Sequence, residues 1–182
     1  LQKKRELGLP LNRPSSLTDV PKEHRKEVED VYVTAAREVG QLFLRTGDIP
    51  SAWMYLQVIR EPEAVKEAID QMVISPDDYE LVEQMVQIGL HQGVHPVKAV
   101  ELMLKAHGTC STITMLDQTL HTLTSKQRSD CAKVMVRHLY EDLVDSLRRH
   151  IETRNPMLPP GESLLELIAG RDWLFDGGNY HI

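Results

Sequence analysis

Histidine is the chemically most versatile residue type in this sequence, and there are eight of them among 182 residues. His91 and His95 are four positions apart, and on a continuous helix that spacing lets two side chains bind one metal ion. Gly93 lies between them and Pro96 follows, so we expect the helix to break there. No HExxH arrangement is present. We therefore predict capping or surface histidines and no metal site.

We predict simple structural roles for two other histidines. His138 and Asp142 are four positions apart in a stretch without glycine or proline, which predicts an ion pair on one helix face. His107 precedes Gly108 and is expected to interact with the C-terminal end of a helix. The sequence contains no nucleophile elbow, phosphate-binding loop or EF-hand loop. We assign no catalytic residue and no cofactor.

The C-terminal segment "RDWLFDGGNYHI", residues 171–182, carries polar and aromatic side chains beside two glycines. Segments of this kind are typical of functional loops. The possible site consists of Asp176, Asn179, Tyr180 and His181. The simpler interpretation, which we favour, is that Trp173, Leu174 and Phe175 anchor the tail by burial. An enzyme of unrecognised type, using histidines and this segment with or without a metal, stays open as the alternative function.

Composition narrows the class of protein. The formal net charge is −6, which argues against a dedicated nucleic-acid binder. No stretch approaches the ~20 apolar residues of a membrane span, so no membrane partner is expected. Two cysteines without a CxxC pair favour reduced thiols in the cytoplasm and leave one bridge between them open. The chain begins with Leu1 and stops abruptly, so we expect a piece of a longer protein.

Apolar residues recur at intervals of three and four in every long segment, which predicts helices. We therefore expect an all-α fold of seven to nine helices, stacked as antiparallel hairpins in a short solenoid or bundle. Residues 1–17 read as an extended arm or linker. Residues 18–182 read as one helical domain with an irregular tail over 171–182. In the first long helix, the predicted buried stripe is Val28, Val31, Ala35, Val39, Leu42 and Thr46.

Helix stop and start signals divide the chain. Gly47 and Pro50 are three positions apart, as are Gly93 and Pro96, and the two pairs are 46 positions apart. This interval fits a structural repeat and fits two unrelated hairpins equally well, because every helical hairpin needs such signals. Ser75 is expected to cap a helix that runs to about His91. Further helices are expected from Pro96 to Gly108, from Ser125 to residue 154, and up to Gly170.

Residues 39–59, "VGQLFLRTGDIPSAWMYLQVI", resemble a tetratricopeptide repeat hairpin. Gly40, Gly47-Asp48 and Ala52 stand where that family has a small residue in the first helix, the closing turn and a small residue in the second. We expect Gly40 to let the second helix approach closely, because it has no side chain. The family's tryptophan is replaced by Ala36. The 46-residue interval is nearer the ~40–47 residues of armadillo and HEAT units.

The resemblance implies a protein-interaction or scaffolding module that binds a protein or peptide. In such hairpins the groove is lined by exposed residues of each first helix. Carried over by position, these are Thr34, Arg37, Gln41 and Leu44, with Glu80, Glu83, Gln87 and Leu90 in the second copy. The alternative is that these residues form an ordinary solvated face, since two units make only a shallow groove.

Overall fold

A computed structural model describes residues 1–13, 16–75, 77–154 and 163–175 of the chain. Within these residues there are eight α-helices and no β-strand, which confirms the all-α class. The helices are α1 Gln2–Glu6, α2 Lys22–Arg45, α3 Ile49–Leu56, α4 Glu63–Gln71, α5 Tyr79–Val86, α6 Pro96–Thr119, α7 Ser125–Glu152 and α8 Leu164–Ile168. A π-helical turn, Gln87–His91, extends α5. No described helix combines the length and apolar character needed to cross a membrane.

The chain divides into two compact units, Leu1–Val73 and Ile74–Ile182. The first unit contains α1 to α4 and the second contains α5 to α8. The boundaries predicted from sequence, an arm over 1–17 and one domain over 18–182, stay predictions. Apolar side chains from successive helices fill the first unit: Ile49, Ala52, Leu56, Val65 and Ile69 are all at most 1% exposed.

The N-terminal segment is held by one buried lysine. Lys4 lies on α1 and is only 3% exposed, and its Nζ donates to the carbonyls of Arg13 at 2.8 Å and Ser16 at 2.6 Å. These bonds satisfy an ammonium group that would otherwise be costly to bury. Lys3 adds an ion pair of 2.6 Å with Glu27 on α2. The segment predicted as an arm thus includes a short helix tied to its own loop.

The longest helix, α7, organises the second unit. The sequence predicts an apolar face of Met135, Leu139, Leu143, Leu147 and Ile151. Three of these residues are buried, and Leu139 and Leu143 are half-buried. The start of α7 is confirmed as well: the Thr124 hydroxyl accepts from the backbone of Gln127, whose side chain accepts from the Thr124 backbone. This capping box satisfies donors that would otherwise be left free in the first turn.

The described part of the tail packs on the end of α7. Leu147, Ile151, Leu167 and Leu174 form one buried cluster, and Trp173 lies against it. The Arg154 guanidinium sits 4.2 Å from the centre of the Trp173 ring, a cation–π distance. Anchoring by Trp173 and Leu174 is therefore confirmed. The backbone there forms a short 3₁₀ helix, Asp172–Phe175.

Three helix boundaries differ from the sequence expectation. The cap of α5 is Asp78, whose carboxylate accepts from the Leu81 backbone at 3.2 Å, so the prediction of Ser75 as cap was wrong. The sequence predicts a helix from Pro50 to Arg60, but α3 ends at Leu56, and Arg60 adopts a left-handed backbone with φ 56°. At Gly108 the sequence predicts that one helix ends and another, with Ile113 and Leu116, follows. The break is present as a non-helical φ of 74° and ψ of 178°, but no connecting loop separates the two parts of α6.

Candidate interaction surface

The turn between α2 and α3 orients the first hairpin. Gly47 takes φ +79°, a left-handed conformation that glycine adopts without steric cost. The Asp48 backbone N–H donates to the Phe43 carbonyl at 3.0 Å, which closes the end of α2. The Asp48 side chain then accepts from the Ser51 backbone at 3.0 Å and caps α3. Hydrogen bonds from the Ser51 side chain and from its backbone N–H lower the pKa of the Asp48 carboxyl.

Close contact between α2 and α3 occurs at Gly40. A Cβ atom built there would lie 2.6 Å from Cγ of Leu56, closer than carbon atoms approach in proteins. Ala52 of α3 is fully buried, and Ala36 of α2 is also buried. The structural roles expected of Gly40, Gly47 and Ala52 are therefore supported by the geometry. The small residues Ala36 and Gly40 let α3 pack close to the backbone of α2.

This packing corrects the predicted buried stripe of α2. Val28 is buried and Val39 half-buried, but Thr46, Ala35, Val31 at 46% and Leu42 at 57% are exposed. The helix turns its small residues, not this apolar stripe, toward α3. We define the α2 outer face as the exposed residues Asp30, Val31, Thr34, Ala35, Glu38, Gln41, Leu42 and Arg45. Five of them, Asp30 through Glu38, line a shallow depression of about 300 Å³.

The predicted groove residues on α2 separate into two pairs. Thr34 and Gln41 are exposed and belong to the α2 outer face. Arg37 and Leu44 are half-buried and lie toward the packed side of the helix. Thr34 donates its hydroxyl proton to the Asp30 carbonyl at 2.9 Å. Its methyl group and backbone are therefore the parts that a partner could contact.

Arg37 is engaged by Glu61 from the α3–α4 connection. Its Nε and a terminal nitrogen donate to the two carboxylate oxygens at 2.9 and 2.6 Å, a bidentate arrangement. The hydrogen bonds from Arg37 lower the pKa of the Glu61 carboxyl, and the pKa of Arg37 is raised in turn. This guanidinium therefore joins two segments of the first unit, and a ligand would have to compete with Glu61 for it.

The predicted residues of the second copy lie in the other compact unit. Glu80, Glu83 and Gln87 are exposed. Leu90 is 0% exposed, so its expected place on a groove surface is wrong. The physical reason is the π-helical turn Gln87–His91, which adds a residue to the turn and rotates Leu90 into the core.

The histidines are placed largely as the sequence suggests. The Nδ1 of His95 accepts from the Lys98 backbone at 3.5 Å and caps α6. His138 Nε2 lies 3.3 Å from Asp142 Oδ2, which is the predicted ion pair when the imidazole is protonated. His107 Nε2 is buried and forms no hydrogen bond with another described residue. A carboxylate oxygen of Glu83 lies 3.3 Å away.

No metal-binding group is found in the described part of the chain. There, no three side chains of His, Cys, Asp or Glu lie close enough to hold one ion. The possible tail site, Asp176, Asn179, Tyr180 and His181, lies outside the described residues.

A second exposed apolar face lies on α7 and was missed by sequence reasoning. Val136 is 65% exposed and Tyr140 50% exposed, with Lys133 and Arg137 beside them. Together with Ser129 and Ala132 they line an open depression of about 530 Å³. The available signal was the four-residue spacing of Ala132, Val136 and Tyr140, which runs beside the stronger buried stripe.

The two cysteines are free thiols in different environments. Cys110 is exposed and Cys131 is buried. Burial raises the pKa of Cys131 to about 11, so this thiol stays protonated at neutral pH and is a poor nucleophile. The bridge left open by the sequence is not formed.

Comparison with protein-family models, with curated proteins and with solved structures finds no match to this chain.

Proposed function

We propose that this chain is a protein-interaction module of the helical-repeat type, and that the α2 outer face is its contact surface. One observation carries the proposal: Val31, Ala35 and Leu42 form an exposed apolar stripe on α2, a helix of 24 residues. Apolar residues grouped on one helix face, rimmed by polar ones, are typical of sites that bind other proteins. Thr34 and Gln41 from the predicted groove lie on the same face.

The rigid support of this face favours binding over an unused surface. The α2–α3 hairpin is held by the close contact at Gly40, the turn at Gly47 and the cap at Asp48. A surface held in one conformation loses less entropy when a partner binds. The tetratricopeptide-like features of residues 39–59 support the same function. The two free thiols support a cytoplasmic location for the module.

The proposal is tested by photo-crosslinking from the α2 outer face in cells that make the full-length protein. A benzophenone amino acid replaces Gln41, and the matched control replaces Asp117, an exposed residue of α6. We expect discrete protein adducts from position 41 and none from position 117. Leu42→Glu should abolish the adducts, because it places a charge on the apolar stripe where Leu42 is 57% exposed.

The same change on α7 distinguishes a specific surface from general stickiness. Val136 is as exposed as Leu42, so Val136→Glu is a matched control and should leave the position 41 adducts unchanged. Equal adducts from both crosslinking positions, or adducts that survive Leu42→Glu, would contradict the proposal.

A further inference from the structure

We propose that the partner on the α2 outer face is a second copy of this chain, bound with the two α2 helices antiparallel across a two-fold axis. This inference rests on the proposed function, because it names the partner of the same surface. It is carried by the order of apolar and charged residues along α2, which makes the face complementary to itself. Two-fold dimers are the commonest oligomers, and each such interface uses one patch twice.

The apolar residues are placed symmetrically about one point. Val31 and Leu42 are equally distant from the midpoint between residues 36 and 37, about 16 Å apart along the helix. A two-fold axis through this midpoint places Val31 against the partner's Leu42, and Leu42 against the partner's Val31. Ala35 lies between them, and its small side chain allows the helices to approach closely.

The charges along the same face have opposite signs at its two ends. Asp30 lies in the N-terminal half of α2 and Arg45 is its last residue. Neither side chain forms an ion pair with another residue of the described chain, in contrast to Arg37 with Glu61. The two residues lie on the same flank of the stripe, about 60° apart around the helix axis.

Antiparallel pairing brings these opposite charges together. A two-fold axis perpendicular to the helices keeps each flank on its own side and reverses its direction. Arg45 then lies at the level of residue 28 in the other copy, about 3 Å along the axis from the partner's Asp30. The symmetry forms this contact twice. A parallel two-fold pair would instead place each charge at the level of its own counterpart on the opposite flank, so that Arg45 and the partner's Asp30 would not meet.

Glu38 limits the strength of the dimer. It lies close to the axis, so the two copies of this carboxylate are about 4.5 Å apart along the helix direction and repel each other. The contact is also small, since it involves mainly one helix of 24 residues from each copy. We expect a dissociation constant on the order of 10–100 µM.

Sedimentation velocity of the 182-residue chain tests the proposal across the micromolar concentration range. We expect the wild type to shift from monomer to dimer. Leu42→Glu should weaken the dimer by at least about tenfold, whereas the matched control Val136→Glu should not change it. Circular dichroism confirms that each variant is folded, as expected for residues this exposed.

Charge variants test the orientation through effects of opposite sign. Arg45→Glu should weaken the dimer about tenfold, and adding Asp30→Arg should restore it, because the pair is re-formed with reversed signs. Glu38→Gln should strengthen the dimer by removing the repulsion at the axis. A substitution that only disturbed the fold would not strengthen the dimer in this way.

Cysteine crosslinking measures the orientation directly, in a Cys110→Ser background that removes the exposed native thiol. Glu38→Cys should form disulfide-linked dimers, since the two positions face each other near the axis. Arg45→Cys should not, because the two copies are about 26 Å apart along the helices. Crosslinking at both positions would indicate a parallel pair and overturn the inference.

The outcomes separate this inference from the proposed function. A wild type that stays monomeric at every concentration, or a dimer unaffected by Leu42→Glu, would overturn self-association through the α2 outer face. If the monomeric protein still gives Leu42-dependent adducts with a different protein, the interaction function stands. If neither a second copy nor another protein binds the α2 outer face, both proposals fail.

Discussion

Two helical hairpins in this protein use the same turn chemistry. The first joins α2 to α3, and the second joins α5 with its π-helical turn to α6. Each reverses at a glycine with positive φ, +79° at Gly47 and +73° at Gly93. Each then caps its second helix with a side chain, Asp48 at 3.0 Å in the first hairpin and His95 at 3.5 Å in the second.

The packing inside the two hairpins differs. In the first, Gly40 of the leading helix meets the side chain of Leu56. In the second, the corresponding position by the 46-residue interval is Val86, which is buried, and the close contact lies at Gly89 instead. A Cβ there would lie 3.0 Å from both the Ala99 Cβ and the His95 carbonyl oxygen. Similar turn residues therefore do not impose the same helix contact.

The largest expected effect comes from filling the contact of the first hairpin. Gly40→Leu should lower the free energy of unfolding by about 3 kcal/mol, because the new side chain overlaps Leu56. Urea denaturation of the variant and wild type measures this. As a control, Gly40→Ala should destabilise less in a Leu56→Ala background than in the wild type, since the clash is gone. An unchanged midpoint for Gly40→Leu would mean that α3 does not approach here.

A smaller effect is expected in the second hairpin. Gly89→Ala should destabilise by about 1–2 kcal/mol, because one of its contacts is a backbone oxygen that cannot move independently. The loss should be smaller in an Ala99→Gly background than in the wild type, whereas that background should not change the loss caused by Gly40→Ala. If both glycine variants responded to Ala99→Gly, the two contacts would not be independent.

The two turn glycines should behave alike. An added Cβ at Gly47 or Gly93 meets no atom within 4 Å, so only the left-handed backbone is unfavourable for another residue. Alanine at either position should destabilise by about 1 kcal/mol and valine by more, and asparagine by less because it tolerates this conformation. Thermal unfolding of the paired variants checks the similarity. A large difference between them would contradict the shared turn chemistry.

The smallest effect concerns the caps and depends on pH. The pKa of Asp48 is lowered in the folded protein, so the carboxylate stabilises the fold above the ordinary aspartate range near pH 4. This contribution is lost as the pH falls through the lowered pKa. The melting temperatures of wild type and Asp48→Ala should therefore differ at pH 7 and converge in acid. Asp48→Asn, which keeps an acceptor, is the control. A difference that persists below the lowered pKa would contradict this role.

The sequence predicted the local parts of the first hairpin well. The left-handed residue Gly47 and the small residues Gly40 and Ala52 were identified before any contact was known. Each follows from the covalent nature of a single residue: glycine lacks a side chain, and alanine is small. The sequence also predicted that α7 starts at Ser125, but not the capping box of Thr124 and Gln127 that stabilises this start.

Faces of helices were predicted less well. Apolar periodicity placed Val31 and Leu42 in the core, although both are exposed. Periodicity gives weight to large apolar residues, whereas the neighbouring helix packs where Ala36 and Gly40 leave room. The π-helical turn had the same consequence for Leu90, since one extra residue in a turn changes which side chains face inward.

The sequence by itself determined that this chain is helical, where its helices turn and which glycines make the turns possible. These are local properties, decided by propensity, capping and the steric limits of single residues. Only the tertiary structure decided which side of α2 is covered. Burial depends on how closely a second helix can approach, and that distance is set by side chains far apart in the sequence, such as Gly40 and Leu56. The exposed stripe on which both proposals rest is therefore a consequence of packing.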